Sequence, residues 1–347
     1  MNFYLLNSNL ERIDIIDDYK SYIWTNRFSQ PGDFEILLPV TDKYLKEIQK
    51  DCIFIREGQE SNGMIVYNKQ ILNDVEEGDT LIIKGFCAKA LCDRRIIWDQ
   101  TNLNSKLEYA LRRLVEENAI NPIDSDRIIP NMILGEIKGY EETVSAQFTG
   151  TNLGVALTDL CKTAGFGYDV LLDLENGKFV FTVLKGADRS HLQEDNQCVI
   201  FSEDYDNLLS SSYELNTENY KNVGKVAGEG EGTARKSVSI GSESGLSRYE
   251  TFVDARDISS NEGEITEEEY NNLLTQRGNE KIAESITEEK VSGEIVKDYN
   301  YTFGIDYFLG DKVSLIDKHG IEMTPQIVEV IESEELENFD TIVKFES

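Results

Sequence analysis

Three observations predict a mainly β fold with an α+β insert. Short apolar runs separated by Asn, Gly and Asp turn signals fill the first hundred residues. Apolar residues at helical spacing take over from Ala88, and strands return from Cys198 to the end, broken by one long helix. The chain has 347 residues and 39.4 kDa, more than one core usually fills, so two or three domains are expected. With 40% hydrophobic and 10% aromatic residues and only 5 prolines, it should fold throughout. The divisions read as 1–95, 96–195 and 196–347.

Phe3 to Leu6, Ile13 to Ile16, Ile23 to Phe28, Phe34 to Leu38, Cys52 to Arg56, Met64 to Leu72 and Thr80 to Gly85 read as strands of an antiparallel barrel or sandwich. A short helix is expected near Asp42 to Gln49. The pattern then changes, and Ala88 to Ile97 and Ser105 to Glu117 carry apolar residues at helical spacing. Ser105 and Glu108 have the spacing of a capping box, and Leu107, Ala110, Leu111, Leu114 and Val115 form one core-facing stripe. After a strand at Thr143 to Phe148 comes a helix carrying Leu153, Ala156, Leu157, Leu160, Cys161 and Ala164, with Gly165 as its left-handed stop. Tyr168 to Leu172 and Lys178 to Leu184 flank Asn176-Gly177, a hairpin signal.

In the last division strands are expected at Cys198 to Phe201, Ser210 to Leu215, Val223 to Ala227, Arg235 to Ile240 and Glu250 to Asp254. A helix over 266–287 follows, opened by Thr266 and Glu269 as a second capping box. Val291 to Val296, Asp311 to Ile316, Gln326 to Ile331 and Thr341 to Phe345 complete the strands.

The charge narrows the function classes. With 65 acidic against 34 basic residues the formal net charge is −31, which repels polyphosphate and argues against direct nucleic-acid binding. No run approaches the ~18 apolar residues of a membrane helix, and the first residues lack a signal peptide's basic flank and apolar stretch, so synthesis in the cytoplasm is expected. Cys52, Cys87, Cys92, Cys161 and Cys198 lack CxxC spacing and read as reduced, buried thiols, with no metal or cofactor implied.

Catalytic chemistry finds little footing. The two histidines, His191 and His319, lie outside HExxH or nucleophile-elbow contexts and read as surface loop residues. Gly228-Glu229-Gly230-Glu231-Gly232 lacks the order of a phosphate loop and reads as a turn. Asp173 to Gly177 lacks the remaining ligands of a calcium loop. The basic pairs Arg94-Arg95, Arg112-Arg113 and Arg235-Lys236 are expected to meet carboxylates, within a subunit or between subunits.

Several stretches together resemble the tail-tip hub family of long-tailed phages and prophages. They are the opening MNFYLLNSNLERIDIIDDYKSYIWTNRFSQPGDFEILLP, with Trp24, the Pro31 to Glu35 turn and Leu38-Pro39; Leu91 to Trp98; Asn222 to Gly232; and Tyr307 to Val313. The resemblance implies two tube-like antiparallel β-barrels adjoining a small α+β domain, as in baseplate hubs. It also implies a non-enzymatic homotrimer at the virion tail tip that adapts a sixfold tube to a threefold tip and gates its bore. The implied partners are the distal tail or tube protein, the tape-measure protein and a tip fibre, spike or receptor-binding protein, with DNA passing through unbound.

Trimer closure must join strand edges or barrel flanks, and the resemblance together with the strand pattern makes Ile23 to Leu38 and Asp311 to Val330 the candidate contact segments. Within them Ile23, Trp24, Phe34, Ile36, Asp311, Val313 and Val328 are the candidate interface residues. Because the chain stops at Ser347, any wall cleavage or receptor binding is expected to belong to a partner. Two other readings are a cell-wall-active hydrolase and a carbohydrate or receptor-binding module using Trp24 and Trp98. Against the second, both tryptophans sit among apolar neighbours and read as core.

Overall fold

The computed structural model describes every residue except 75–77, 261–264, 286–287, 296–299, 336–337 and 347. The first division contains β1 (Phe3–Leu6), β2 (Arg12–Ile16), β3 (Ser21–Arg27), β4 (Asp33–Pro39), α1 (Asp42–Glu47), β5 (Ile53–Arg56), β6 (Gln59–Leu72) and β7 (Thr80–Cys87). Alternation places Phe3, Leu5, Trp24, Phe34, Ile36, Phe54, Met64, Val66, Leu81 and Ile83 around one core. β5 is buried on both faces, because Phe54 joins this core while Ile53 and Ile55 join the next one. That explains its unbroken apolar run, which alternation alone does not produce.

The insert packs on the outer face of β1, β5 and β6. It comprises a 3₁₀ segment at Ala88–Arg94, β8 (Thr101–Lys106), α2 (Leu107–Val115), β9 (Met132–Leu134), β10 (Thr143–Phe148), α3 (Leu153–Ala164), β11 (Gly167–Asp173) and β12 (Lys178–Leu184). The helical spacing from Ala88 thus yields 3₁₀ turns, and they end at Arg95 because the chain there pairs with the 150–153 segment. The Ser105–Glu108 capping box does not form. Ser105 and Lys106 belong to β8, laddered to β10, and Glu108 turns to another loop. Its buried carboxylate accepts the backbone N–H groups of Lys138 at 2.7 Å, Gly139 at 2.8 Å and Tyr140 at 3.3 Å. The expected stripe from Leu107 to Val115 is buried, and Gly165 ends α3 at φ +70°.

The remaining chain forms two more cores. β13 (Ile200–Ser202) and β14 (Leu208–Asn216) lead into a compact unit of β15 (Val223–Ala227), β16 (Ser237–Ile240), β17 (Glu250–Asp254) and α4 (Glu267–Ala283), cored by Val226, Ile258, Tyr270 and Leu274. The Thr266–Glu269 capping box is present here, in a helix whose start no ladder contests. The chain then returns through β18 (Glu288–Ile295), β19 (Ser314–Ile316), β20 (Glu322–Met323), β21 (Gln326–Glu335) and β22 (Asn338–Glu346). Phe201, Tyr307, Val313, Leu315, Val330, Val343 and Phe345 fill their core. Of the expected segments, the end of the 266–287 helix and Val296 lie outside the described residues.

The two ends of the chain share one antiparallel sheet of 11 strands, ordered β14-β18-β22-β21-β3-β4-β7-β6-β5-β1-β2. The halves meet where β3 pairs with β21, from Arg27 against Glu329 to Ser21 against Glu335. Charged contacts cross this seam. Arg27 pairs with Glu329 and, at 2.7 Å, with Asp33; the Tyr19 hydroxyl donates to Glu334 at 2.6 Å. Deeper still, Arg56 lies inside the first core, 4.9 Å from the Trp24 ring centroid, with its Nη2 2.6 Å from Glu332.

A buried pair of this kind is costly to break from one side, because the survivor stays charged without compensation. Glu332→Ala should therefore cost about 3 kcal/mol in denaturant unfolding, by analogy with other buried pairs. Arg56→Met combined with Glu332→Leu should recover most of that loss. Equal, additive losses would show that the two groups do not act together. Beside them, burial pushes Tyr22 up to about 12, with Arg56 partly opposing and Glu332 reinforcing the shift. Its folded value lies above the ordinary one of about 10, so its contribution is present below pH ~10 and lost as pH rises from about 10 towards 12. Tyr22→Phe should flatten part of the alkaline fall in the urea midpoint, and an unchanged fall would refute this.

Candidate functional site

The charged seam and the strands beside it carry most of the residues singled out from the sequence. Trp24, Phe34 and Ile36 point into the first core, and Val313 into the last. Asp311 is enclosed as well, accepting the N–H of Ala187 at 2.7 Å and of Phe308 at 3.0 Å and pairing with Arg189 at 2.7 Å. Those contacts tie the exit of the insert to the last core. A side chain enclosed by its own subunit has nothing left for a neighbour, so these five are structural supports. Val328 is half-buried beside the seam, and Ile23 faces outward.

Ile23 belongs to an exposed row that the register defines: Glu35, Ile23, Ser333 and Asp340 lie side by side on β4, β3, β21 and β22. Leu37, Ser21, Glu335 and Asn338 form the next row. Together they line a groove of about 350 Å³ across the seam. Lys84 pairs with Glu35 and Tyr19 with Glu334, but among the described residues Glu335 and Asp340 are in no ion pair. The groove is therefore acidic with an apolar floor.

Trp98 departs from the expectation of a core residue. It is 60% exposed on the insert, with the Arg127 guanidinium 4.9 Å from its ring centroid. Its apolar neighbour Ile97 takes the inward position instead. The basic pairs also divide. Arg94 pairs with Asp51 at 2.6 Å, Arg113 with Glu117 at 2.7 Å, and Arg235 with Asp254, whereas Arg95 and Arg112 donate to backbone carbonyls. Carbonyls left over at loops compete successfully for a guanidinium's donors.

The cysteines are free. Cys52, Cys92 and Cys161 are buried, while Cys87 and Cys198 are only half-buried, since each lies at a junction of elements. Burial pushes the Cys161 thiol up to about 12, which leaves it protonated and unreactive. His191 and His319 are exposed. The His191 Nδ1 lies 2.7 Å from Ser314 Oγ, and its Nε2 is 4.0 Å from Glu322. This order of Ser, His and acid suggests an activated nucleophile, but Ser314 has no exposed surface and its oxygen already accepts the His191 backbone N–H at 2.9 Å. A substrate carbonyl has no approach to it. Among the described residues no group of His, Cys, Asp or Glu could hold a metal ion, and no helix is long and apolar enough to cross a membrane.

Arg56 and Glu332 escaped the reading of motifs, yet a signal existed. Arg56 has the inward phase of Phe54, and Glu332 that of Val330, so two opposite charges were aimed at the interior.

The comparisons bear on the whole chain. Over nearly all of it the chain superposes on a tail protein from Neisseria meningitidis MC58, with TM-score 0.59, 13% identity, and coverage of 99% of this chain and 96% of that one. The 43 kDa tail protein of prophage MuSo2 from Shewanella oneidensis gives 0.59, 14%, 99% and 98%. Prophage tail protein gp18 from Listeria monocytogenes EGD-e gives 0.57, 14%, 100% and 94%. At these identities the likeness shows the fold: mainly β, of the kind found in phage tail proteins. Among curated proteins no sequence match is found. The family described as Siphovirus ReqiPepy6 Gp37-like protein matches residues 2–343, and the chain thus belongs to this family of phage tail proteins.

Proposed function

We propose that the chain is the non-enzymatic hub of a phage or prophage tail tip, with three copies joined in a ring that adapts a sixfold tube to a threefold tip. The observation that carries this reading is the shared sheet. Among the described residues its first and last strands, β2 and β14, each have one neighbour, so each leaves a row of backbone groups open to another strand. Copies joined edge to edge around a threefold axis satisfy both rows and close the ring. Along that sheet each copy contributes two separate cores, one on either side of the β3–β21 seam, so three copies would present six β-cored units to a sixfold tube.

The bore would pass the tape-measure protein and DNA. A net charge of −31 per copy keeps DNA from adhering to such a wall. The distal tail or tube protein would bind one face of the ring and a tip fibre, spike or receptor-binding protein the other, at the tip of the virion tail.

Light scattering followed by electron microscopy of the same peak tests the reading. The expected species has about three times the 39.4 kDa chain mass and shows an open threefold ring. A peak that stays at the chain mass, alone and with its tube partner added, would refute it.

A further inference from the structure

On a molecule with this excess of acid, one region is reversed. A chain of contacts runs over the surface from β6 and β7 to the insert. Phe86 meets Tyr67 with ring centroids 5.5 Å apart, Arg94 lies 5.0 Å from the Tyr67 centroid, and Arg127 covers Trp98. Arg95 connects the two parts by donating to the carbonyls of Arg94, Arg127 and Ile128. Ile96 and Ile128 are exposed alongside.

Arg94 is committed to Asp51, but among the described residues neither Arg95 nor Arg127 is in an ion pair. Both are half-buried and bonded only to uncharged oxygens, Arg127 to Ile96 O at 2.6 Å and to Asn118 Oδ1 at 3.4 Å. Burial and the neighbouring guanidiniums lower Arg95 from its ordinary value, a repulsion that an incoming carboxylate would relieve. Exposed Trp and Tyr set among arginines are the composition of an interface centre, and Trp98 is the more exposed of the two tryptophans.

We propose that this surface seats in the acidic groove of a second copy of the chain, Arg95 and Arg127 meeting Glu335 and Asp340 while Trp98 covers Ile23 and Leu37. The inference rests on the ring reading and names a contact within it. Charge complementarity selects the occupant. The patch is a cationic, apolar surface without carboxylate partners for Arg95 and Arg127 among the described residues, and the groove is an anionic, apolar surface without basic partners there for Glu335 and Asp340. The two lie on different elements, so the contact is heterologous, the kind that generates a closed ring when its rotation closes.

The full-length chain tests this through its association constant, read by sedimentation equilibrium, with thermal unfolding as a check that each variant is folded. Arg127→Glu and Asp340→Lys should each weaken association about tenfold or more, the scale of a lost interfacial charge pair. Trp98→Ala should do the same. Arg127→Glu combined with Asp340→Lys should restore it to within about threefold of the wild type, because the charges are exchanged and not removed. A wild type that forms the ring while the folded single variants form it equally well would overturn this contact and leave the ring reading standing. A double variant no better than either single would also overturn it. A wild type that does not self-associate, either alone or with its tube partner added, would overturn both.

Discussion

The pairing of β3 with β21 is the constraint on which the rest depends. Without it the chain would be two β-rich pieces joined by the insert. With it, strands from both ends of the chain form one sheet, and the insert packs on the outer face of its first half. Backbone hydrogen bonds set the register, and side chains make it specific. A slip by one residue would turn Glu332 out of the interior and leave Arg56 without its counter-charge beneath Trp24. The buried pair is thus better understood as a register key than as a source of net stability, since two well-packed apolar residues would hold the core at least as firmly.

Legibility in the sequence followed the range of the interaction. Thr266 and Glu269 form the box that their spacing predicts because everything they need lies within one turn of helix. Gly165 and the Leu107 to Val115 stripe were legible for the same reason. Ser105 and Glu108 have the same local spacing and fail, since β10 lies beside them and its ladder outbids a cap. Trp98 and Ile97 were indistinguishable as neighbours in an apolar stretch, and only the packing of the insert decides which one turns inward. The seam itself was illegible. Arg56 and Glu332 are 276 positions apart, and no periodicity relates them.

The candidate contact segments were chosen by reasoning about edges, but β3, β4 and β21 lie inside the sheet, and their residues divide by phase. Every second residue on a strand faces its own core, so Trp24, Phe34 and Ile36 support the surface on which Ile23, Glu35 and Leu37 stand. The same alternation explains why a chain so acidic still folds. Most of its charges occupy outward phases or meet partners at the seam, and the enclosed carboxylates of Glu108 and Asp311 are held by backbone N–H groups.

The long sequence separation across the seam has a consequence for how the molecule is made. During synthesis β3 leaves the ribosome with β4 available on one side and nothing for the other, and it waits for almost the whole chain before β21 arrives. Through that interval the first barrel has an open flank and an unpaired arginine at its centre. It is a template for the wrong strand from a neighbouring nascent chain. The insert and the small unit around α4 use contacts that are closer in sequence and can consolidate early. The last strands therefore act as a closing step for the whole subunit, and proofreading falls to them: a chain cut short before β21 is left with its polymerisation-prone flank exposed to quality control.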